Sequence, residues 1–219
     1  MKVIELHESV TASNDHDADV LREKMKADGT LLINLMSSPG SGKTTLLKGT
    51  VKAMPDVHIA VMEADIASDV DAVTMAQNGA ESIQVHTDGM CHMDAGMTAE
   101  GLRHMNLQDI DLVFLENVGN LICPAEFDTG AGKNVMILSV PEGDDKPLKY
   151  PLMFQVCDTV LINKIDVAPY FDFDFDKCRE YIHMRNPKAK IFPISAKTGE
   201  GVEAVAAFLK EEVAKWKGV

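Results

Sequence analysis

Seven short apolar runs punctuate the chain: Leu31–Met36, Val57–Met62, Ser82–Val85, Leu112–Leu115, Val135–Val140, Thr159–Ile162 and Lys190–Pro193. Near-continuous apolar runs of this length predict strands covered on both faces, the signature of a parallel sheet. Between them lie helix-period segments at Lys43–Ala53, Ser68–Asn78, Thr98–Met105, Pro147–Phe154, Phe175–Met184 and Gly201–Trp216. The last places Val202, Val205, Phe208 and Leu209 on one face. Alternation of the two periods predicts an α/β fold, a doubly wound, mostly parallel sheet with helices on both sides.

Two stretches need local arguments. Phe171–Asp176 alternates Phe and Asp as a strand would, but it follows Pro169 and offers Asp174 or Asp176 as a helix N-cap. It therefore reads as a loop entering a helix. The polar segment before Leu31 carries an amphipathic stretch around Asp17–Ala27 that can dock on the domain or on a partner. The expected organisation is an N-terminal arm over residues 1–29, with a short helix, and one domain over 30–219.

Charge narrows the partners. With 34 acidic against 21 basic residues the net charge is −13, which repels a phosphate backbone, so nucleic acid is not expected. No stretch approaches the about 20 apolar residues of a membrane span, and residues 1–15 lack the apolar run of a signal peptide. The expectation is a cytoplasmic protein. Four cysteines, Cys91, Cys123, Cys157 and Cys178, are too few for a disulfide framework. Cys157, before a core strand, and Cys178, within a helix, read as packing residues.

The segment Ser37-Ser38-Pro39-Gly40-Ser41-Gly42-Lys43-Thr44 follows a strand and opens a helix, the setting of a phosphate-binding loop. Gly40, Ser41 and Gly42 let backbone N–H groups converge on phosphates, Lys43 reaches the β and γ oxygens, and the Thr44 hydroxyl suits Mg²⁺ with Thr45 beside it. Ser37 stands where the generic pattern has glycine. Asp128–Lys133 is also glycine-rich and ends in lysine, but it precedes a strand and reads as a turn. Phosphoryl transfer also needs an acid at a strand end to hold the metal. Glu116, ahead of Val118-Gly119, is the first candidate. Asp65, after Glu63, is the second.

Asn163-Lys164-Ile165-Asp166 follows the sixth apolar run and Ser195-Ala196-Lys197 the seventh. The Asp166 carboxylate can accept from guanine N1–H and the N2 amine, a pattern adenine lacks. The Lys164 stem can lie along the base and the Ala196 N–H can donate to O6. Together the boxes predict a GTPase that binds GTP and GDP.

Cys91-His92 lies just past the third run and Cys123 just past the fourth, so both are expected at the edge of the sheet that holds the nucleotide. On the residues alone these are either packing side chains or ligands. As ligands, two thiolates and an imidazole suit Zn²⁺ in a tetrahedral site or Ni²⁺ in a planar one. Three ligands leave a position that a symmetric partner can fill. Met90, Met93, His86 and His104 are nearby candidates for a fourth, each more commonly a core or surface residue.

The order of boxes is similar to that of the SIMIBI-class GTPases. The stretches 37–45, Glu116-Asn117-Val118-Gly119-Asn120-Leu121-Ile122-Cys123-Pro124 and Glu142-Gly143-Asp144-Asp145-Lys146-Pro147-Leu148-Lys149-Tyr150-Pro151 resemble the HypB family. The likeness covers essentially residues 30 to 217. It implies slow GTP hydrolysis and a nucleotide-dependent homodimer that delivers nickel during maturation of nickel–iron hydrogenase. It further implies that Cys91, His92 and Cys123 bind nickel or zinc, with a HypA-type nickel metallochaperone and a hydrogenase large-subunit precursor as partners. Many members carry an N-terminal cysteine cluster or histidine-rich run that stores nickel. Residues 1 to 30 have neither, which implies the minimal form without storage. A urease-type nickel GTPase is the nearest alternative, but it would require Cys-Pro-His where this chain has Cys123-Pro124-Ala125.

Overall fold

The computed structural model describes residues 6–65, 81–87 and 89–219, with side chains from residue 12 onward other than that of Asp65. The helix expected over Ser68–Asn78 lies outside the described residues. The chain runs α1 (Leu6–Ala27), β1 (Leu31–Ser37), α2 (Lys43–Ala53), β2 (Ile59–Asp65), β3 (Glu81–His86), α3 (Ala95–Arg103), β4 (Leu112–Glu116), α4 (Cys123–Glu126), β5 (Lys133–Ser139), α5 (Lys146–Lys149), α6 (Pro151–Val156), β6 (Thr159–Asn163), α7 (Phe175–Arg185), β7 (Lys190–Pro193) and α8 (Val202–Lys217). Short 3-10 turns occupy Val140–Glu142 and Ile165–Tyr170.

The strands form one parallel sheet in the order β3-β2-β4-β1-β5-β6-β7. Every residue of β1, β4 and β6 is buried, because helices cover both faces. On one face Leu46, Leu47 and Val51 of α2 pack with Val205, Phe208 and Leu209 of α8. On the other, Leu21 and Met25 of α1 and Leu102 of α3 cover β2 and β4, while Met153, Phe154 and Ile182 of α6 and α7 cover β5 and β6. Each such aliphatic or aromatic side chain contributes roughly 1.5–3 kcal/mol by leaving water.

Cys157 and Cys178 are fully buried in this last cluster. Burial pushes the Cys178 thiol up to about 12 and that of Cys157 higher still, so both stay protonated packing groups.

Several boundaries differ from the sequence pattern, among them the helix expected over Thr98–Met105, which runs Ala95–Arg103, and strand ends that shift by a few residues. The stretch Pro147–Phe154 divides into α5 and α6, because Pro151 has no N–H to continue a helix and displaces Tyr150 to φ −125°, ψ 60°. The amphipathic stretch before Leu31 is part of a helix that starts at Leu6. Glu63 and Glu116 lie inside β2 and β4, where ladder pairing extends past the apolar runs. The Asp174 carboxylate caps α7 by accepting from the N–H groups of Asp176 and Lys177, both at 3.0 Å.

Candidate nucleotide and metal site

β1 delivers the chain to the sheet edge at Ser37, and α2 leaves from Lys43. The turn between them needs residues that tolerate positive φ, and Gly40 (70°) and Gly42 (103°) supply it. Gly42 is also a close approach, since a Cβ there would stand 2.6 Å from Asn163 Nδ2. Lys43 Nζ donates to Ser37 Oγ at 3.0 Å, and that hydroxyl donates to Ser38 O at 2.8 Å. The serine in place of glycine thus holds the lysine over the loop. The first turn of α2 points its N–H groups into the cradle, an anion site by construction.

Beside this loop opens a cleft of about 420 Å³ lined by Gly40, Lys43, Thr44, Thr45, Glu63 and Glu116. Thr44 Oγ1 lies 3.5 Å from Glu116 Oε1. Glu63 pairs in register with Glu116 across β2 and β4, so both side chains leave the same face of the sheet. A hydroxyl and two carboxylates are hard oxygen donors of the kind that hold Mg²⁺. Asp65 ends β2 two positions on, and its side chain is outside those described. Sequence reasoning ranked Asp65 above Glu63. The signal it passed over was an acid ending an apolar strand run, costly to bury unless it meets a cation.

Asn163 organises the loops that the sequence pattern expects to read the base. Its Nδ2 donates to Ser41 O at 2.8 Å and its Oδ1 accepts from Ala196 N–H at 2.9 Å, which ties the phosphate loop to the two loops beyond β6 and β7. Lys164, in the left-handed region at φ 64°, lays its stem along the loop and donates to Gly40 O at 2.7 Å. Ser195 Oγ donates to Asp166 Oδ1 at 2.7 Å, fixing the carboxylate, while Lys197 is exposed. The Ala196 N–H, expected to serve guanine O6, is here engaged by Asn163. Reaching a base requires sharing that bond.

Beyond β3 a turn closes with Thr87 Oγ1 donating to Met90 O at 2.9 Å and presents Cys91-His92. Beyond β4 the chain begins α4 at Cys123. The two Sγ atoms are 2.9 Å apart, Cys91 Sγ is 3.7 Å from His92 Nδ1, and one ligand atom from each of the three residues lies within 4.8 Å of the others. Cys91 is exposed. His92 is buried and stacks on Phe127, ring centroids 4.0 Å apart and 16° between planes. Burial holds the His92 imidazole below its ordinary range, which favours the neutral form a ligand needs. The hydrogen bond with Cys123 and burial raise the Cys91 thiol above its ordinary value. Among the described residues this is the one cluster of three or more His, Cys or acidic groups with metal-ligand spacing.

The other candidates separate from it. Met93 is fully buried in the core, His104 pairs with Glu100 at 3.0 Å, and His86 is exposed at the end of β3. Met90 is 43% exposed beside Cys91.

The two sites share a residue that sequence reasoning did not single out. Asn117, fully buried and next to Glu116, accepts from Met93 N–H at 3.2 Å, and its Nδ2 donates to Asn34 Oδ1 at 3.0 Å. The backbone following His92 is therefore tied to the strand end that lines the nucleotide cleft.

Residues 31–193 match the family model for the CobW/HypB/UreG nucleotide-binding domain. The hydrogenase maturation factor HypB of Escherichia coli K12 is 44% identical over 203 residues, spanning 92% of this chain and 70% of that protein. The crystal structure of HypB from Helicobacter pylori in complex with nickel superposes with a TM-score of 0.87 at 36% identity, covering 93% and 96% of the two chains. HypB from Archaeoglobus fulgidus gives 0.85 at 37%, covering 92% and 99%. With the phosphate loop and the parallel sheet behind it, these likenesses establish that the chain belongs to the HypB family of P-loop nucleotide-binding proteins.

Proposed function

We propose that this protein is a GTP-hydrolysing nickel metallochaperone of hydrogenase maturation, in which the nucleotide sets how tightly Cys91, His92 and Cys123 hold the metal. The observation that carries the reading is the Met93–Asn117 hydrogen bond. It joins the segment bearing Cys91 and His92 to the strand end bearing Glu116. A shift of Glu116 as the γ-phosphate is bound or lost moves Asn117, and with it both cysteine-bearing segments.

GTP binds with its phosphates on the N–H groups of residues 40–45 and its base against Lys164, Asp166 and the Ser195–Lys197 loop. Thr44 and Glu116, with Glu63 or Asp65, hold Mg²⁺, which neutralises charge on the transferring phosphoryl group. Lys43 supplies the fixed positive charge. No glutamine follows Gly119 to orient the attacking water, so turnover without a partner is slow, about 10⁻⁴ to 10⁻² per second, and Lys43→Ala abolishes it.

Two thiolates and a neutral imidazole accept Ni²⁺, and equally Zn²⁺, but leave the coordination sphere open. Cys91 is exposed, so a second copy of the chain across a two-fold axis can complete the sphere. The partners that follow are a HypA-type metallochaperone and the hydrogenase large-subunit precursor, in the reducing cytoplasm where the thiols stay reduced. Support for the recipient comes from the relatives' shared description as hydrogenase maturation factors.

The test is nickel affinity by dye competition with GDP and with a non-hydrolysable GTP analogue, alongside sedimentation. A difference of 5–150-fold between nucleotide states is expected, the usual size of allosteric coupling, with metal-induced dimers lost in Cys123→Ala. Equal affinity in both states overturns the switch.

A further inference from the structure

We infer that Asn14, on the N-terminal helix, is a positioning residue for the metal centre; the inference rests on reading Cys91, His92 and Cys123 as that centre. Along α1, Asn14, Ala18, Leu21, Arg22 and Met25 recur at helical spacing on one face. Ala18, Leu21 and Met25 are buried at 0%, 6% and 1% exposure. This stripe seats the helix against α3 and against the loop between α4 and β5.

Asn14 stands near the N-terminal end of the stripe and uses both ends of its carboxamide. Its Oδ1 accepts from Ala95 N–H at 3.0 Å, and its Nδ2 donates to Asp128 O at 2.9 Å. A flipped amide would set donor against donor and acceptor against acceptor, so the two partners dictate the orientation. Ala95 opens α3 three residues after His92. Asp128 directly follows Phe127, whose ring stacks on His92, and lies five residues beyond Cys123. One side chain thus spans the two segments that supply all three ligands, and those segments share no strand pairing of their own.

Neighbouring contacts fix the same loop. Arg22 Nη2 pairs with the Asp128 carboxylate and its Nε donates to Ala131 O at 2.9 Å. Leu21 lies so close to Gly130 (φ 77°) that a Cβ there would meet Leu21 Cδ2 at 2.8 Å. Metal sites depend on such outer hydrogen bonds to hold ligands at coordination distance. Here the support comes from an element that contributes no ligand. The N-terminal helix is thereby part of the metal centre's framework.

The experiment uses the full chain titrated with Ni²⁺, read by thiolate-to-nickel charge-transfer absorption and by competition with a chelating dye. Asn14→Ala is expected to bind nickel about tenfold more weakly, with an altered charge-transfer band and unchanged GDP affinity in the absence of metal. Asn14→Asp keeps the acceptor for Ala95 but sets an oxygen against Asp128 O, and is expected to be as weak. Met25→Ala, on the same stripe at the far end of the helix, controls for general loosening: it should lower the unfolding temperature while keeping nickel affinity within about twofold. Wild-type affinity and band in Asn14→Ala overturn the inference. So does a Met25→Ala variant that loses nickel as Asn14→Ala does. If the wild type shows no thiolate band, or Cys123→Ala retains it, the reading of the centre itself fails, which is a different result from a wild-type band untouched by Asn14.

Discussion

Glu63 and Glu116 occupy directly paired positions of β2 and β4, and both are buried, at 3% and 9% exposure. Two carboxylates on one face of neighbouring strands, beside Lys43 and Thr44, form a site whose charge is best balanced by a divalent cation. Glu116→Gln and Glu63→Gln are each expected to raise the Mg²⁺ concentration that GTP hydrolysis requires by roughly 10–100-fold, the usual cost of disturbing a metal's immediate surroundings. Phosphate release measured across a Mg²⁺ titration checks this. An unchanged Mg²⁺ requirement in both variants would leave the pair with a purely structural role.

Ser195 Oγ donates to Asp166 Oδ1 at 2.7 Å, and under the proposed function this carboxylate sets base choice. GTP should outcompete ATP by roughly 10⁴-fold, because the wrong base leaves buried polar partners unpaired. Asp166→Asn should shift preference to xanthine nucleotides. Ser195→Ala should weaken GTP about tenfold, the value of one hydrogen bond to a charged group. Competition against a fluorescent GDP analogue measures all three, and equal binding of ATP and GTP would rule the assignment out.

Gly42 is the tightest point of the phosphate loop. Gly42→Ala combines a φ of 103° with a Cβ 2.6 Å from Asn163 Nδ2, so it must displace the side chain that joins three loops. We expect nucleotide binding to fall by more than about 100-fold while circular dichroism still reports the native fold, since strain of about 1–3 kcal/mol falls within one loop. Binding within threefold of wild type would show that the loop relaxes without cost.

Acid sensitivity follows from Asp111. Burial pushes its carboxyl up, but the Lys217 ammonium and the His58 backbone N–H, at 2.8 Å, outweigh that and hold it below the ordinary 3.8. A carboxylate depressed in the folded state stabilises above its unfolded pKa and loses that contribution as pH falls through the folded one. Asp111→Asn should therefore cost about 1 kcal/mol at pH 7, roughly 2–4 °C in unfolding temperature. The gap should close progressively below pH ~4. A gap of the same size at pH 7 and pH 3 would assign the loss to packing instead.

The parts of the protein legible in one dimension are those whose physics is local. Apolar runs predicted all seven strands: the central β1, β4 and β6 are apolar because both their faces are covered, and the partly buried edge strands β3 and β7 still carry a short apolar stretch. The phosphate loop was readable because it is a strand, a turn and a helix start in a row, with geometry set by neighbouring φ and ψ angles. Pro151, read only within the stretch that carries the family likeness, divides two helices by its missing N–H, a local effect that the hydrophobic period concealed.

What only the tertiary structure decided depends on register and approach. Glu63 faces Glu116 because ladder pairing carries β2 past its apolar run, and hydrogen bonds between strands are not written in either strand alone. Cys91 and Cys123, 32 residues apart, come within 2.9 Å across the end of β2, which lies between their strands. The residues that hold these places, Asn14, Asn117 and Asn163, are short amides whose hydrogen-bond partners no local pattern gives, although Asn163 stood in a recognisable box and Asn14 on a helical stripe. Their roles depend on which backbone groups folding leaves within about 3 Å. Residue types and spacing therefore determined which chemical groups this chain offers, while long-range packing, which buries polar groups only where partners meet them, decided which of them stand together.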